Sequence, residues 1–290
     1  QGLFLAGMLC VVLLLSWTAG SGDPAWGRLD QFPLPHPLGW IDLLPLLALL
    51  ALTRLGLPVS TSFLVLTAVA PWQVGAMVRK SLAGYGLAFL VAALVYGLLA
   101  PWLEGRAPAP GAPTSAEPEA QQTSTAPDDS GTLPWSLLQW LATAALWSQW
   151  LVQDLANIYV YLPRQLNLAE LGVTLVVLCG AVALIVSLGG GPIQERLRSK
   201  SRGNDPRSTT VISLLYGLVL LAFLGGDRLP MSTSWLFLGL LAGREVGLGC
   251  RGLGRPVAVM VADLTLDLLR AGGGLATSLT VALLVAADRS

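Results

Sequence analysis

Apolar residues in this chain come in long runs, several near or above the ~20 residues a helix needs to cross a hydrocarbon core. The runs are 3–18, 40–56, 57–78, 81–103, 134–162, 171–189, 209–226 and 256–287. The pattern predicts helices, with Gly84, Gly86 and Gly97 as small residues for close helix packing. The last run contains Gly272-Gly273-Gly274, so it is either one long helix or two shorter ones. Between the runs lie a Gly/Pro-rich loop at 19–39, a stretch at 104–133 rich in Pro, Ala, Ser, Thr and acid, and a basic loop at 193–208. The middle one cannot bury enough apolar surface to order itself and is expected to be a flexible linker.

One pattern occurs twice. Leu57-Pro58-Val59-Ser60-Thr61-Ser62-Phe63 returns as Leu229-Pro230-Met231-Ser232-Thr233-Ser234-Trp235, an offset of 172. The same offset pairs Leu64 with Leu236, Ala70 with Ala242, Val74 with Val246, Gly75 with Gly247 and Arg79 with Arg251. It also lays run 171–189 on 3–18, run 209–226 on 40–56, and the basic loop on the Pro-rich loop. Apolar sequence matches Leu to Leu by chance, but not a Pro, three hydroxyls and an aromatic together. The chain is therefore expected to be an internal duplication. The first repeat is 1–103, the linker 104–133 and the second repeat 134–290. Run 134–162 projects before residue 1, so the first repeat is expected to be incomplete at its N-terminal end.

Charge adds an orientation. Loop 193–208 holds Arg196, Arg198, Lys200, Arg202 and Arg207, whereas loop 19–39 holds Arg28 alone. The basic loop belongs on the cytoplasmic side and its counterpart outside. Five runs separate them, and if all five cross, the odd number puts the loops on opposite faces. The repeats are then inverted. Arg79 and Lys80 fall outside on this count.

Composition agrees with a membrane setting. The chain is 54% hydrophobic and 12% charged, about half the charge of soluble domains. Acidic and basic residues balance at 17 each, so nothing favours nucleic acid. Cys10, Cys179 and Cys250 lack metal-ligand spacing and are expected to be buried free thiols. The one histidine, His36, lies in a Pro-rich loop, which argues against a His-based metal site or triad. An enzyme is not expected.

The polar residues inside apolar runs are the candidates for chemistry. Gln153, Asp154 and Asn157 interrupt run 134–162. An ionisable group there is costly and marks a functional site. Asp154 and Asn157 are three apart, so a helix puts them on one face, where carboxylate and amide oxygens suit a hard cation such as sodium. In the two motifs, Ser60, Thr61, Ser62, Ser232, Thr233 and Ser234 follow a proline. Hydroxyls and freed N–H groups at a helix start make an anion site. Broken helices in matching positions of two halves point to a transporter's binding site near the bilayer midplane. Arg54 and Arg228, just upstream, are expected to snorkel to the interface, Arg164 to be a loop charge, and Asp263, Asp267 and Arg270 to form an intrahelical ion pair.

Pro58-Val59-Ser60-Thr61-Ser62 and Pro230-Met231-Ser232-Thr233-Ser234 resemble the Pro-Val-Ser-Thr-Thr-His signature of the inorganic phosphate transporter (PiT) family. Asp154-Leu155-Ala156-Asn157 resembles its Gly-Ala-Asn-Asp-x-Ala-Asn signature. The resemblance covers the chain apart from the linker, less one helix at the front, so the first-half Asp-x-Ala-Asn element is missing. It implies an all-α polytopic protein of the plasma or inner membrane, with two inverted repeats and broken helices at a midplane site. It implies cation-coupled phosphate import, sodium or protons being the coupling ion, with lipid as surroundings and a homodimer as an assembly to test. It assigns phosphate to the hydroxyls of the two motifs and the cation to Gln153, Asp154 and Asn157. No further cofactor is implied. Phe63 and Trp235 stand where the family has His, and Leu151-Val152-Gln153 where it has Gly-Ala-Asn. These departures leave the oxyanion open and keep one alternative, a non-transporting scaffold or assembly subunit on a degenerate transporter fold.

Overall fold

A computed structural model describes residues 2–35, 39–55, 59–103, 132–188, 206–224, 228–254 and 256–289. All regular structure among them is helical. The helices are α1 (Gly2–Ala19), α2 (Leu44–Arg54), α3 (Thr61–Val69), α4 (Val74–Leu103), α5 (Thr132–Asp154), α6 (Ala156–Tyr159), α7 (Leu168–Ser187), α8 (Pro206–Leu224), α9 (Thr233–Gly249) and α10 (Val257–Arg289). Among the described residues, three apolar stretches are long enough to cross a membrane: 71–103, 168–187 and 257–288. Two shorter apolar helices accompany them, at 3–19 and 207–223. The linker at 104–131, the loop at 189–205, His36, and Leu57 and Pro58 of the first motif lie outside the described residues.

The tightest packing joins α4 to α9. Gly239, Gly243 and Gly247 recur every four residues and form one stripe on α9. A methyl group at Gly239 would lie 2.4 Å from the carbonyl oxygen of Tyr85. At Gly243 it would lie 2.2 Å from that of Phe89, and at Gly247 2.8 Å from that of Ala93. The facing residues of α4 are also small, with Gly84, Ala88 and Ala92 on the buried side. Helices in lipid gain little from hydrophobic expulsion, so close backbone approach through small residues is a principal source of attraction. Of the three glycines expected to pack closely, Gly84 does so against Met231, whereas Gly86 has nothing within 4 Å.

The last helix of each half packs on the motif helix of the other. Leu64 and Ala68 of α3 meet Val281 and Val285 of α10. Their partners at the offset, Leu236 and Leu240 of α9, meet Ala88 and Ala92 of α4. Helix α4 connects the two ends of the molecule. The turn entering it touches Gln31, through the Gln73 amide at 3.3 Å. Near its far end, Tyr96 donates to the Ser208 carbonyl at 2.8 Å, and Arg207 lies over the Trp102 ring. α9 finishes at that end, where Arg251 donates to the Gly97 carbonyl.

Several sequence expectations need correction. The boundary between the third and fourth runs falls at 70–73, not at 79–80. Ala70 leaves helical space with φ −136° and ψ 77°, and Pro71 lacks the N–H that would continue the ladder. Arg79 and Lys80 are inside α4. α3 is therefore only 9 residues long, ~13 Å at 1.5 Å per residue, and cannot cross a bilayer alone. Run 256–287 is one continuous helix through its glycines. Cys250 is exposed, while Cys10 and Cys179 are half-buried; all three are free. Asp267 and Arg270 do pair within α10, at 3.6 Å.

Loop 20–35 is a folded cap. Asp23 accepts from the N–H groups of Ala25 and Gly27 at 2.8 and 2.7 Å. The Trp17 indole donates to the Leu166 carbonyl at 2.8 Å. Arg164 donates to the Tyr159 and Pro33 carbonyls, so it ties two connections together.

The α4–α9 contact sets a stability test. Gly243→Ala should lower stability by about 1–3 kcal/mol, because backbone cannot yield to the added methyl. Gly86→Ala, in open space, should be neutral or slightly stabilising. Thermal unfolding of the purified variants in lipid nanodiscs separates the two.

Candidate functional site

The two motif copies build the same helix start. Ser60 caps α3 from φ −79°, ψ 111°, and its Oγ accepts from the Phe63 N–H at 3.2 Å. Ser232 caps α9 from φ −76°, ψ 106°, and its Oγ accepts from the Trp235 N–H at 3.2 Å. A serine at this position satisfies one of the N–H groups a helix start leaves open. Both starts are interior: Ser60 is 5% exposed and Ser232 0%. They come together through their aromatic neighbours. The Phe63 and Trp235 rings meet edge to face, with centroids 5.3 Å apart.

Packing holds the second start in place. The Ser232 N–H donates to Ser81 Oγ at 2.8 Å. Lys80 donates to the Leu229 carbonyl at 2.7 Å, and the Tyr216 hydroxyl to the Thr233 carbonyl at 2.9 Å. The backbone polar groups freed where the chain breaks before Pro230 are thus met by side chains from α4 and α8. Burial without such partners would be costly.

Asp154 ends α5 beside this start. The Thr233 hydroxyl donates to Asp154 Oδ1 at a long 3.4 Å. One residue earlier, Gln153 is 2% exposed, and its Oε1 accepts from Arg28 of loop 20–35. Arg28 is 3% exposed. Leu155 stays helical at φ −59° and ψ −29°, with its N–H on the Leu151 carbonyl, and the chain continues into α6, which packs on α3. Asn157 is 6% exposed there, and neither atom of its amide finds a partner among the described residues. The Nε2 of Gln153 and the Tyr159 hydroxyl are equally without one.

Of the residues expected to act, the fold joins Thr233 to Asp154, and it sets Phe63 and Trp235, three residues after the Ser60 and Ser232 caps, in ring contact. Ser62 is buried; Thr61 and Ser234 are half-buried. Asn157 shares no hydrogen bond with Asp154. Arg54 ends α2 in the open. Arg228 is exposed at φ 55°, its side chain lying against Gly27. Among the described residues no cluster of His, Cys, Asp and Glu could hold a metal ion.

Sequence reasoning missed Arg28, Ser81 and Tyr216. None carries a local signal: each acts on a partner in another element, 125 residues away for Arg28, 151 for Ser81 and 17 for Tyr216. The four-residue spacing of Gly239, Gly243 and Gly247 was a signal, and it predicts the close helix contact.

Comparison with known protein families, with curated proteins and with solved structures finds no match to this chain.

The caps set a measurable cost. Ser60→Ala and Ser232→Ala should each destabilise by about 1 kcal/mol. Ser232→Ala should cost the more, because its start is the more deeply buried. Denaturant unfolding in mixed micelles reads both.

Proposed function

We propose that this protein is a secondary active transporter that moves inorganic phosphate, or a related oxyanion, with a cation by alternating access between two inverted repeats. The observation that carries this reading is the pair of interior helix starts. Two Pro-x-Ser-Thr-Ser elements, 172 residues apart, have the same cap geometry and meet through Phe63 and Trp235. A helix start carries roughly half a positive charge. Two of them converging in a low-dielectric interior favour an anion, as broken helices do in transporters with midplane sites. Asp154, bonded to Thr233 at that point, supplies a negative group for a coupling sodium ion or proton.

Topology supports the inversion. On this reading α2, 11 residues long, and the 9-residue α3, which touch each other, form a hairpin too short to cross. Of the elements between loop 20–35 and the basic loop, α4 and α7 are long and apolar enough to cross; the inversion requires α5 to cross as a third, which would put the two loops on opposite faces and the linker in the cytoplasm. The second hairpin, α8 with α9, enters from the far end of α4, where Tyr96 meets Ser208 and Arg251 meets Gly97. Hairpins entering from opposite ends of α4 are what inverted repeats require.

One observation favours a second reading, the non-transporting scaffold. Phe63 is fully buried and packs edge to face on Trp235, so apolar rings rather than polar groups join the two motif helices.

Uptake of labelled phosphate into proteoliposomes separates these readings. An inward sodium or proton gradient should drive uptake. Asp154→Asn keeps an oxygen for Thr233 but removes the charge, and should cut uptake about tenfold or more, the worth of one charge-assisted hydrogen bond. Absence of uptake from folded wild-type protein, or full uptake by Asp154→Asn, would move the assignment to the scaffold.

A further inference from the structure

Helices α1 and α5 meet at Phe4 and Trp140 and leave a groove beside that contact. The two rings pack edge to face with centroids 5.3 Å apart. Around them lies a cavity of about 370 Å³ lined by Phe4, Leu5, Gln139, Trp140, Thr143 and Trp147. Gln139, Thr143 and Trp147 follow one another at four-residue steps, so they form one stripe along α5. From Gln139 to Trp147 the stripe runs ~12 Å at 1.5 Å per residue, close to the ~15 Å depth of one leaflet. The neighbouring face of α5 is apolar, with Leu137, Leu138 and Leu141 exposed. An open apolar surface of that kind suits hydrocarbon rather than water.

Two polar side chains interrupt this groove. The Gln139 amide and the Thr143 hydroxyl have no hydrogen-bond partner among the described residues. In hydrocarbon neither can turn to water, and an unmet polar group is costly there. Both supply donors, an N–H and an O–H. The ester carbonyls of a glycerophospholipid are acceptors with no donors of their own, so they answer this pair. One turn nearer the start of α5, on the same stripe, stands Trp135, with the Arg207 guanidinium 5.6 Å from its ring centroid. Tryptophan and arginine together mark the membrane–water interface. Phosphate, ester and acyl chain thus meet a cation, two donors and an aromatic groove, in the order in which a phospholipid carries them.

We propose that the α1–α5 groove holds one membrane glycerophospholipid: an acyl chain lies along Phe4, Trp140 and Trp147, its ester carbonyl accepts from Gln139 and Thr143, and its phosphate sits at Arg207. The proposal requires α5 to lie in the bilayer. It does not require that anything be transported.

Native mass spectrometry of the full chain, purified in mild detergent, tests this. Wild type should keep one adduct with the mass of a phospholipid. Gln139→Leu combined with Thr143→Val removes both donors at similar volume and should weaken retention about tenfold or more, the loss expected for two hydrogen bonds. Leu5→Trp keeps both donors but fills the groove, and should exclude the adduct. Leu141→Ala, on the outward face, should leave retention unchanged. Equal retention by wild type and the groove variants overturns the proposal. So does a wild type without an adduct, or one whose adduct is detergent, a quinone or another molecule that is not a phospholipid. If the double variant does not fold, Leu5→Trp carries the same comparison, and the wild-type arm stands by itself.

Discussion

The backbone contact between α4 and α9 is the constraint on which the candidate site depends. A helix that starts in the protein interior leaves donors open, and those donors need partners that water cannot supply. At Ser232 the partners are its own hydroxyl and that of Ser81. Ser81 reaches the start only because α9 lies directly on α4. That approach in turn requires three glycines with carbonyl groups against them. The packing, the cap and the orientation of Thr233 toward Asp154 are thus one connected arrangement.

The duplicated halves show how a few residues redirect one motif. At the offset of 172, Thr67, Pro71 and Gly75 stand where α9 has Gly239, Gly243 and Gly247. Pro71 stops α3 after 9 residues, whereas Gly243 lets α9 run for 17. Thr67 turns its hydroxyl back to the Phe63 carbonyl, which a glycine cannot do. α3 packs on α10 through the side chains of Leu64 and Ala68. The cap is shared and the helix behind it is not, so the two starts sit in unequal surroundings.

The polar centre adds a second asymmetry. Asp154, Gln153 and Asn157 come from the second half only, and the charge beside them, Arg28, comes from a loop of the first half. Arg28 engages the glutamine, while both atoms of the Asn157 amide stay without a partner among the described residues. A buried amide in that condition is rare and is expected where a small ligand or water completes the bonding.

Much of this was legible in the chain. Apolar runs dictate helices because a backbone away from water must bond to itself. The repeated Ser before an apolar segment dictates a cap because its oxygen reaches an N–H three residues on. Asp267 and Arg270, three apart, could find each other on any helix. These are local rules, acting within about one turn. The boundary at 70–73 was open to the same rules, since Pro71 marks it more strongly than the charges at 79–80. The rest depended on distance along the chain. Gly86 and Gly243 look alike in sequence, yet one faces open space and the other a carbonyl. Arg28 looks like any loop charge until folding places it against Gln153, because only packing decides which segments exclude water together.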